Sequence, residues 1–133
     1  MKYPSGCKKT RDNAFVEWRE GISPSRSPMI VTTKEARRRS FLGVDFVVLS
    51  NGPDTMVTKM LYKKEDNVPF HKHPNEQSGY VISGRYRIQF GDYNQEIGPG
   101  DTYSIPKNIE HKTEIIDPGE EVDFFSPPRA DYL

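Results

Sequence analysis

The chain has 133 residues, which is enough for one domain with a hydrophobic core and too few for two. Its 19 Lys and Arg balance 19 Asp and Glu, and this zero formal charge argues against nucleic acid or an anionic membrane as the main partner. The single cysteine excludes an intrachain disulfide, and nothing in the composition demands an oxidising compartment.

The first 28 residues are rich in Lys, Arg, Ser and Pro, and we predict that they form a partly ordered N-terminal arm. Residues 1–40 carry ten Lys or Arg against four Asp or Glu. No nucleic-acid-binding motif accompanies this charge, so we interpret it as a solvated segment. The opening residues lead into Lys and Arg rather than an apolar stretch, and no segment is as long as a transmembrane helix. We therefore expect a cytoplasmic protein.

Residues 29–133 show β-branched and aromatic runs separated by turn residues, which predicts one all-β domain. A short helix is predicted around 34–39, and Gly91 with Asp92 is typical of a hairpin turn. Short strands at regular spacing predict a sandwich or a small barrel. The predicted strands cover residues 29–33, 41–49, 55–62, two strands within 79–90, 102–105, 111–116 and 122–125.

All three histidines of the chain lie in one pattern, His71-x-His73-x3-Gln77, followed by His111. Two histidines at i and i+2 on a strand point to the same face, while the intervening Lys72 points away. Three imidazoles and one amide oxygen suit Fe, Mn, Ni, Co or Zn better than Ca or Mg. Four protein ligands on an octahedral ion leave two positions for water or substrate, as a catalytic site requires. The pattern therefore predicts a divalent transition metal inside a β-barrel.

At this point the sequence resembles the cupins, a family of double-stranded β-helix (jelly-roll) barrels. The first family motif, G-x5-H-x-H-x3-4-E-x6-G, corresponds to Glu65-x5-His71-x-His73-x3-Gln77-x6-Gly84. The second, G-x5-P-x-G-x2-H-x3-N, corresponds to Gly100-x5-Pro106-x-Asn108-x2-His111-x3-Ile115. Fifteen residues separate the two motifs, as in small single-domain microbial cupins. The resemblance covers roughly residues 41–128 and implies a metal-binding cupin barrel.

Four positions depart from the family motifs: Glu65, Gln77, Asn108 and Ile115. Gln77 keeps an oxygen donor but removes a negative charge from the ligand set. Asn108 is able to adopt the left-handed conformation that glycine would adopt there. Glu65 and Ile115 lie outside the ligand set.

The segment near the end of the chain adds candidate catalytic groups. Asp123 and Phe125 share one face of a predicted strand, and Arg129 follows two prolines. An apolar setting raises the pKa of a carboxyl group, and an arginine fork suits a substrate carboxylate. The alternative is that Asp123 and Arg129 are surface residues, because a one-residue slip in strand phase reverses the face. Glu76 is an alternative to Asp123 as the proton carrier. Three tyrosines are candidate pocket or core residues, namely Tyr62, Tyr80 and Tyr103.

The Asp-x-Phe-x3-Arg arrangement is similar to that of the small cupins of pectin and alginate breakdown, which convert 4,5-unsaturated uronates to linear keto acids. This resemblance implies Asp123 as acid and base, and Phe125 and Arg129 as substrate contacts. It also implies four metal ligands, namely His71, His73, Gln77 and His111. The implied substrate is a small carboxylate.

The sequence leaves three functions open. The favoured one is a metal-dependent isomerase-type enzyme of carbohydrate metabolism that transfers a proton on a sugar acid. The second is a metal-dependent dioxygenase, and the third is a non-catalytic cupin that senses a small ligand. We further expect a homodimer, with the arm reaching the second subunit.

Overall fold

The computed structural model describes residues 28–133, so the predicted arm lies outside the described residues apart from Pro28. Ten strands follow one another with short connections, and two three-residue 3-10 turns flank them at Thr33–Glu35 and Ala130–Tyr132. The strands are β1 (Arg37–Phe41), β2 (Val44–Asn51), β3 (Met56–Tyr62), β4 (Asn67–His71), β5 (Glu76–Val81), β6 (Arg85–Phe90), β7 (Tyr93–Ile97), β8 (Thr102–Ile105), β9 (His111–Asp117) and β10 (Gly119–Ser126).

The strands form two antiparallel sheets that enclose one core. The six-stranded sheet has the order β1-β2-β3-β10-β5-β8, and the four-stranded sheet has the order β4-β9-β6-β7. Long crossovers place β10 between β3 and β5, although it is the last strand in the chain. The candidate metal ligands therefore come from both sheets.

Alternation of buried and exposed side chains explains why these segments form half-buried strands. In β3, every second residue from Met56 to Tyr62 is buried, and β10 alternates in the same way from Glu121 to Phe125. The buried apolar residues make one cluster that draws on both sheets. Its members are Val44, Phe46, Val48, Met56, Met60, Tyr62, Val68, Val81, Tyr86, Ile88, Ile97, Ile105, Ile115, Phe125 and Tyr132.

Two predictions near the start of the domain are wrong. Residues 29–33 form no strand, and the helix predicted around 34–39 is a single turn at Thr33–Glu35 followed by β1. The basic run extends because β1 pairs with β2 along its whole length, with Arg38 opposite Val47. Tertiary pairing decides the conformation of a segment whose own preference is weak.

The chain after β10 turns back over one end of the barrel. We call residues 129–133 the C-terminal cover. Tyr132 is buried, and its ring lies 4.4 Å from the ring centroid of Phe46 and 5.7 Å from that of Phe125. Arg39 of β1 donates hydrogen bonds to the main-chain oxygens of Tyr132 and Leu133, at 2.6 and 3.1 Å. The cover is thus fixed to the core and to the edge strand β1.

Candidate metal centre

The three histidines meet at one end of the barrel. His71 is the last residue of β4, and His111 is the first residue of β9, directly opposite it. His73 lies two residues beyond the end of β4, so the prediction that it shares a strand with His71 is wrong. One nitrogen atom from each ring lies within 4.8 Å of the others, an arrangement that is able to hold a metal ion. His73 and His111 are buried, and His71 is half-buried.

Hydrogen bonds fix the tautomer of each ring. Carbonyl oxygens only accept, so the Nδ1 atom facing each of them must carry the proton. His71 donates to Pro69 O at 3.0 Å, His73 donates to Asn75 O at 3.0 Å, and His111 donates to the carbonyl oxygen two residues before it at 2.8 Å. Each Nε2 atom therefore presents a lone pair, and such backbone contacts are those that usually orient metal-binding imidazoles.

Gln77, near the start of β5, brings an amide oxygen to the same place. Its Oε1 atom lies 3.0 Å from Nε2 of His73, while its Nε2 atom donates to the Tyr103 hydroxyl at 3.2 Å. Both atoms of the His73–Gln77 contact are acceptors, because the His73 proton is on Nδ1. Two acceptor lone pairs facing each other repel, and a cation bound by both atoms removes this repulsion. Their separation is about that of neighbouring ligand atoms held at roughly 2.1 Å by one octahedral ion.

His111 provides a second test of the fit. Its Nε2 atom is buried and has no hydrogen-bond partner among the described residues. A buried acceptor without a partner costs stability, and a bound metal would satisfy it. Burial lowers the pKa of all three histidines, and it lowers that of His111 to about 4. The rings are therefore neutral at physiological pH, which is the form that binds metal. The donor set fits a divalent transition metal.

The predicted inward face of β10 is the one observed. Asp123 is 3% exposed and Phe125 is 2% exposed, and both line the cavity next to His71 and His111. The Phe125 ring packs edge-on against His73 with ring centroids 5.6 Å apart. Burial raises the pKa of the Asp123 carboxyl group, although hydrogen bonds oppose that shift. A carboxyl group with a raised pKa is suited to proton transfer near neutral pH.

Glu121 lies two residues before Asp123 on the same buried face and was not among the site residues predicted from the sequence. It is 1% exposed, and the Tyr103 hydroxyl bridges it to Asp123, at 2.7 Å from the Asp123 Oδ1 atom. Burial raises the pKa of Glu121 well above its ordinary value, and the Asp123 charge adds to this. The two-residue spacing of Glu121, Asp123 and Phe125 is the sequence signal that would have found it.

Arg129 is buried rather than on the surface, at 4% exposed. It donates to both carboxylate oxygens of Asp131, at 3.2 and 2.7 Å, and to the Tyr132 hydroxyl at 2.9 Å. Its guanidinium carbon lies 4.0 Å from the Tyr132 ring centroid and 5.3 Å from that of Phe125. The charge therefore faces the cavity, while much of the fork is engaged by Asp131.

The cavity enclosed by these groups measures about 20 Å³, which is room for about one water molecule or ion. Arg129 and Tyr132 of the C-terminal cover form part of its wall. Asn75 holds the neighbouring segment in place, because its side-chain amide donates to Pro127 O at 2.7 Å and to Pro128 O at 3.3 Å. The same residue accepts the His73 hydrogen bond, so it links the metal-site connection to the segment that bears Arg129.

Two of the alternatives from the sequence face outward. Glu76 and Tyr80 are exposed on β5, so neither reaches the cavity. Tyr62 and Tyr103 point inward, and Tyr62 lines the cavity. Glu65 and Asn108 both have positive φ angles, of 74° and 63°, and thus adopt the conformation that glycine adopts at these motif positions.

Comparisons with known proteins agree with this geometry. The profile of the cupin domain family matches residues 58–126, which is more than half of the chain. The pectin degradation protein KdgF of Dickeya dadantii is 28% identical over 93 residues, which cover 68% of this chain and 84% of that protein. The structure of KdgF from Halomonas sp. has a TM-score of 0.71 at 23% identity, covering 78% of this chain and 97% of that one. The predicted cupin barrel is thereby confirmed.

An acireductone dioxygenase from Exiguobacterium sibiricum is 29% identical over 85 residues, which cover 59% of this chain. The aligned part is 45% of that enzyme, so the chain spans less than half of its length. Within residues 28–133, no helix has the length and apolar character needed to cross a membrane.

Proposed function

The chain belongs to the cupin domain family, and on that basis we propose that it is a metal-dependent enzyme that transfers a proton on a small sugar acid. The sharpest version is the ketonisation of 4,5-unsaturated uronates. The observation that carries it is the buried Asp123 carboxyl group, which faces the same cavity as His71 and His111. The similarity to the two KdgF proteins supports the substrate class.

The chain's own residues supply the proton chemistry. In a 4,5-unsaturated uronate ring, the C=C bond adjoins the ring oxygen, which is also bonded to C1. Removal of the C1 hydroxyl proton makes C1 an aldehyde as its bond to the ring oxygen breaks. The ring oxygen then becomes the C5 ketone, while the C=C electrons form a new C–H bond at C4. Asp123 accepts the hydroxyl proton as a base and returns it to carbon as an acid, so the step balances with one carboxyl group. His71, His73, Gln77 and His111 would hold a divalent metal. When bound, that metal supplies a Lewis acid that polarises substrate oxygens.

Arg129 supplies positive charge for the substrate carboxylate. Two of its five N–H groups are not used in the contacts with Asp131 and Tyr132, and its charge lies next to Phe125 on the cavity wall. A sugar acid is much larger than the 20 Å³ cavity. Binding therefore requires the C-terminal cover, including Arg129, to shift outward so that the cavity widens beneath the guanidinium group.

The test is the ultraviolet absorbance of the conjugated enoate. We expect the metal-loaded protein to abolish this absorbance in a 4,5-unsaturated uronate, and Asp123→Asn to reduce kcat by about 100-fold or more at equal metal content. The matched control is Asp92→Asn, which changes the same side chain in the exposed β6–β7 turn. A metal-loaded wild type without turnover would contradict the proposal.

Dioxygenase activity is the second candidate, and the alignment with the acireductone dioxygenase favours it. The cavity of about 20 Å³ is too small for an enediol substrate, so this function also requires the cover to shift. Oxygen uptake by the iron-loaded protein with an enediol substrate would support this function over ketonisation. Tight binding of a sugar acid without turnover would instead indicate a sensor.

The proposed homodimer rests on the outer face of the six-stranded sheet. Tyr80, Ile82 and Phe124 expose 48, 45 and 45% of their surface there, on the neighbouring strands β5 and β10 and just beyond the end of β5. Lys59 and Glu120 form an ion pair at 3.5 Å on the same face, so these two charges offset each other. Light scattering should give twice the chain mass, and Phe124→Glu should give a monomer with unchanged metal content.

A further inference from the structure

Three residues stand in one row across neighbouring strands. Asp123 of β10 pairs with Gly79 of β5, and Gly79 pairs with Tyr103 of β8. The middle position has no side chain, and a Cβ atom placed there would overlap the Tyr103 ring and the Glu121 carboxylate. Glycine at this position thus allows the Tyr103 ring to cross over β5 and reach the carboxyl groups of β10.

The Tyr103 hydroxyl has three polar neighbours, which together use its full hydrogen-bonding capacity. Gln77 donates an N–H to it at 3.2 Å, and the hydroxyl lies in hydrogen-bonding contact with both Glu121 and Asp123. A phenol has one proton, so it donates to only one of the two carboxyl groups. The other carboxyl group must donate to the phenol oxygen, which requires that it be protonated.

Glu121 is better placed than Asp123 to hold that proton. Asp123 lines the same cavity as the Arg129 guanidinium group, whereas Glu121 does not line that cavity. The groups that face Glu121 are Tyr62 on β3, Tyr103 on β8, Tyr86 on β6 and Asp123 on its own strand. None of these four carries positive charge. The order of donation is then Glu121 to Tyr103, and Tyr103 to Asp123.

We propose that Glu121 is a positioning residue for Asp123, which it orients by donating a hydrogen bond through the Tyr103 hydroxyl. The inference rests on the proposed function, in which Asp123 moves the proton. Glu121 itself does not line the cavity, whereas Asp123 does. The Tyr103 contact holds Oδ1 of Asp123 and thereby fixes the orientation of this carboxyl group in the cavity wall.

Kinetics of three variants test this role. Glu121→Met removes the donor at similar length, and we expect kcat to fall by about 100-fold with little change in KM, as for a misplaced catalytic group. Glu121→Gln keeps an N–H donor and should restore kcat to within a few-fold of wild type. Glu120→Gln is the matched control on the outer face of the same strand and should change nothing. Full kcat in Glu121→Met, or an equal loss in Glu121→Gln, would overturn the inference.

A second readout separates this inference from the proposed function. In protein labelled with carbon-13 at Glu and Asp carboxyl groups, we expect the Glu121 signal at the chemical shift of a protonated acid at neutral pH. The Asp123 signal should move in Glu121→Met and stay in Glu120→Gln. These signals are measured without substrate, so they hold even if the wild type turns over no uronate. An ionised Glu121 at neutral pH would overturn the inference while leaving the proposed function intact.

Discussion

Nε2 of His73 and Oε1 of Gln77 lie 3.0 Å apart with no proton to share between them. The His73 proton is engaged by the Asn75 carbonyl oxygen, and the Gln77 amide group points to Tyr103. A protonated His73 would resolve the conflict, but burial lowers the pKa of this ring. A metal ion bound by both atoms resolves it without a charged imidazole.

Gln77→Leu should therefore weaken metal binding while leaving the three histidines in place. We expect affinity to fall by at least about 10-fold, because even the loss of a group that only orients a ligand costs that much. Competition with a chelator measures the affinity. Gln95→Leu, on the edge strand β7, is the control and should bind as wild type does. Equal affinity in the two variants would remove Gln77 from the ligand set.

In the proposed function, Asp131 and the substrate carboxylate compete for Arg129. Asp131→Asn removes the carboxylate that occupies two N–H groups of the Arg129 fork, and it removes a negative charge near an anionic substrate. We expect KM for the uronate to fall by roughly 5-fold, since an ion pair with one exposed partner is worth about 1 kcal/mol. A raised KM would mean that Asp131 helps Arg129 to bind rather than blocking it.

Gly79→Ala should destabilise the protein by about 1–3 kcal/mol, because the new methyl group displaces Tyr103 or Glu121. Gly52→Ala is the control, since a Cβ atom there meets nothing within 4 Å. Urea denaturation of both variants measures the difference. Equal stability of the two variants would show that a Cβ atom at position 79 fits without displacing Tyr103 or Glu121.

Glu121 should make stability depend on pH in a defined direction. Its pKa is raised in the folded state, from an ordinary value of 4.5, so above that pH the unfolded chain releases a proton that the folded chain keeps. Stability from this group is full below pH 4.5 and is lost as the pH rises. The free energy of unfolding of Glu121→Gln, relative to wild type, should therefore increase from acid to neutral pH. A constant or falling difference would mean that Glu121 is ionised when folded.

The sequence predicts the centre of the fold better than its edges. Strands with clear alternation, such as β3 and β10, appear where they are expected. The strand β7 was not predicted, and β4 was expected only as a strand bearing His71 and His73; both lie at the edges of the four-stranded sheet. Pro69 argues against a strand in general but is tolerated at an edge, and the polar Tyr93–Ile97 segment has little to bury. Pairing with a neighbouring strand forms these segments, and a local pattern does not contain that information.

In the candidate site, too, local patterns were predictable from the sequence and pairing between strands was not. The spacing of His71, His73 and His111 predicts their meeting because it combines a local motif with a barrel that brings β4 and β9 together. The phase of Asp123 and Phe125 was predicted only as one of two possibilities, and the structure shows the inward one. The bridge from Tyr103 to Glu121 was not predictable, because it depends on the register of three strands that are distant in the sequence.

The most direct test of the account is the metal content of the purified protein. After incubation with divalent transition metals and removal of excess, elemental analysis should give about one ion per chain for the wild type and for Lys72→Ala, whose side chain is exposed. His73→Ala should lose most of it, because the ring supplies one of the converging lone pairs. A wild type that stays metal-free, or a His73→Ala variant with the same metal content, would contradict the account.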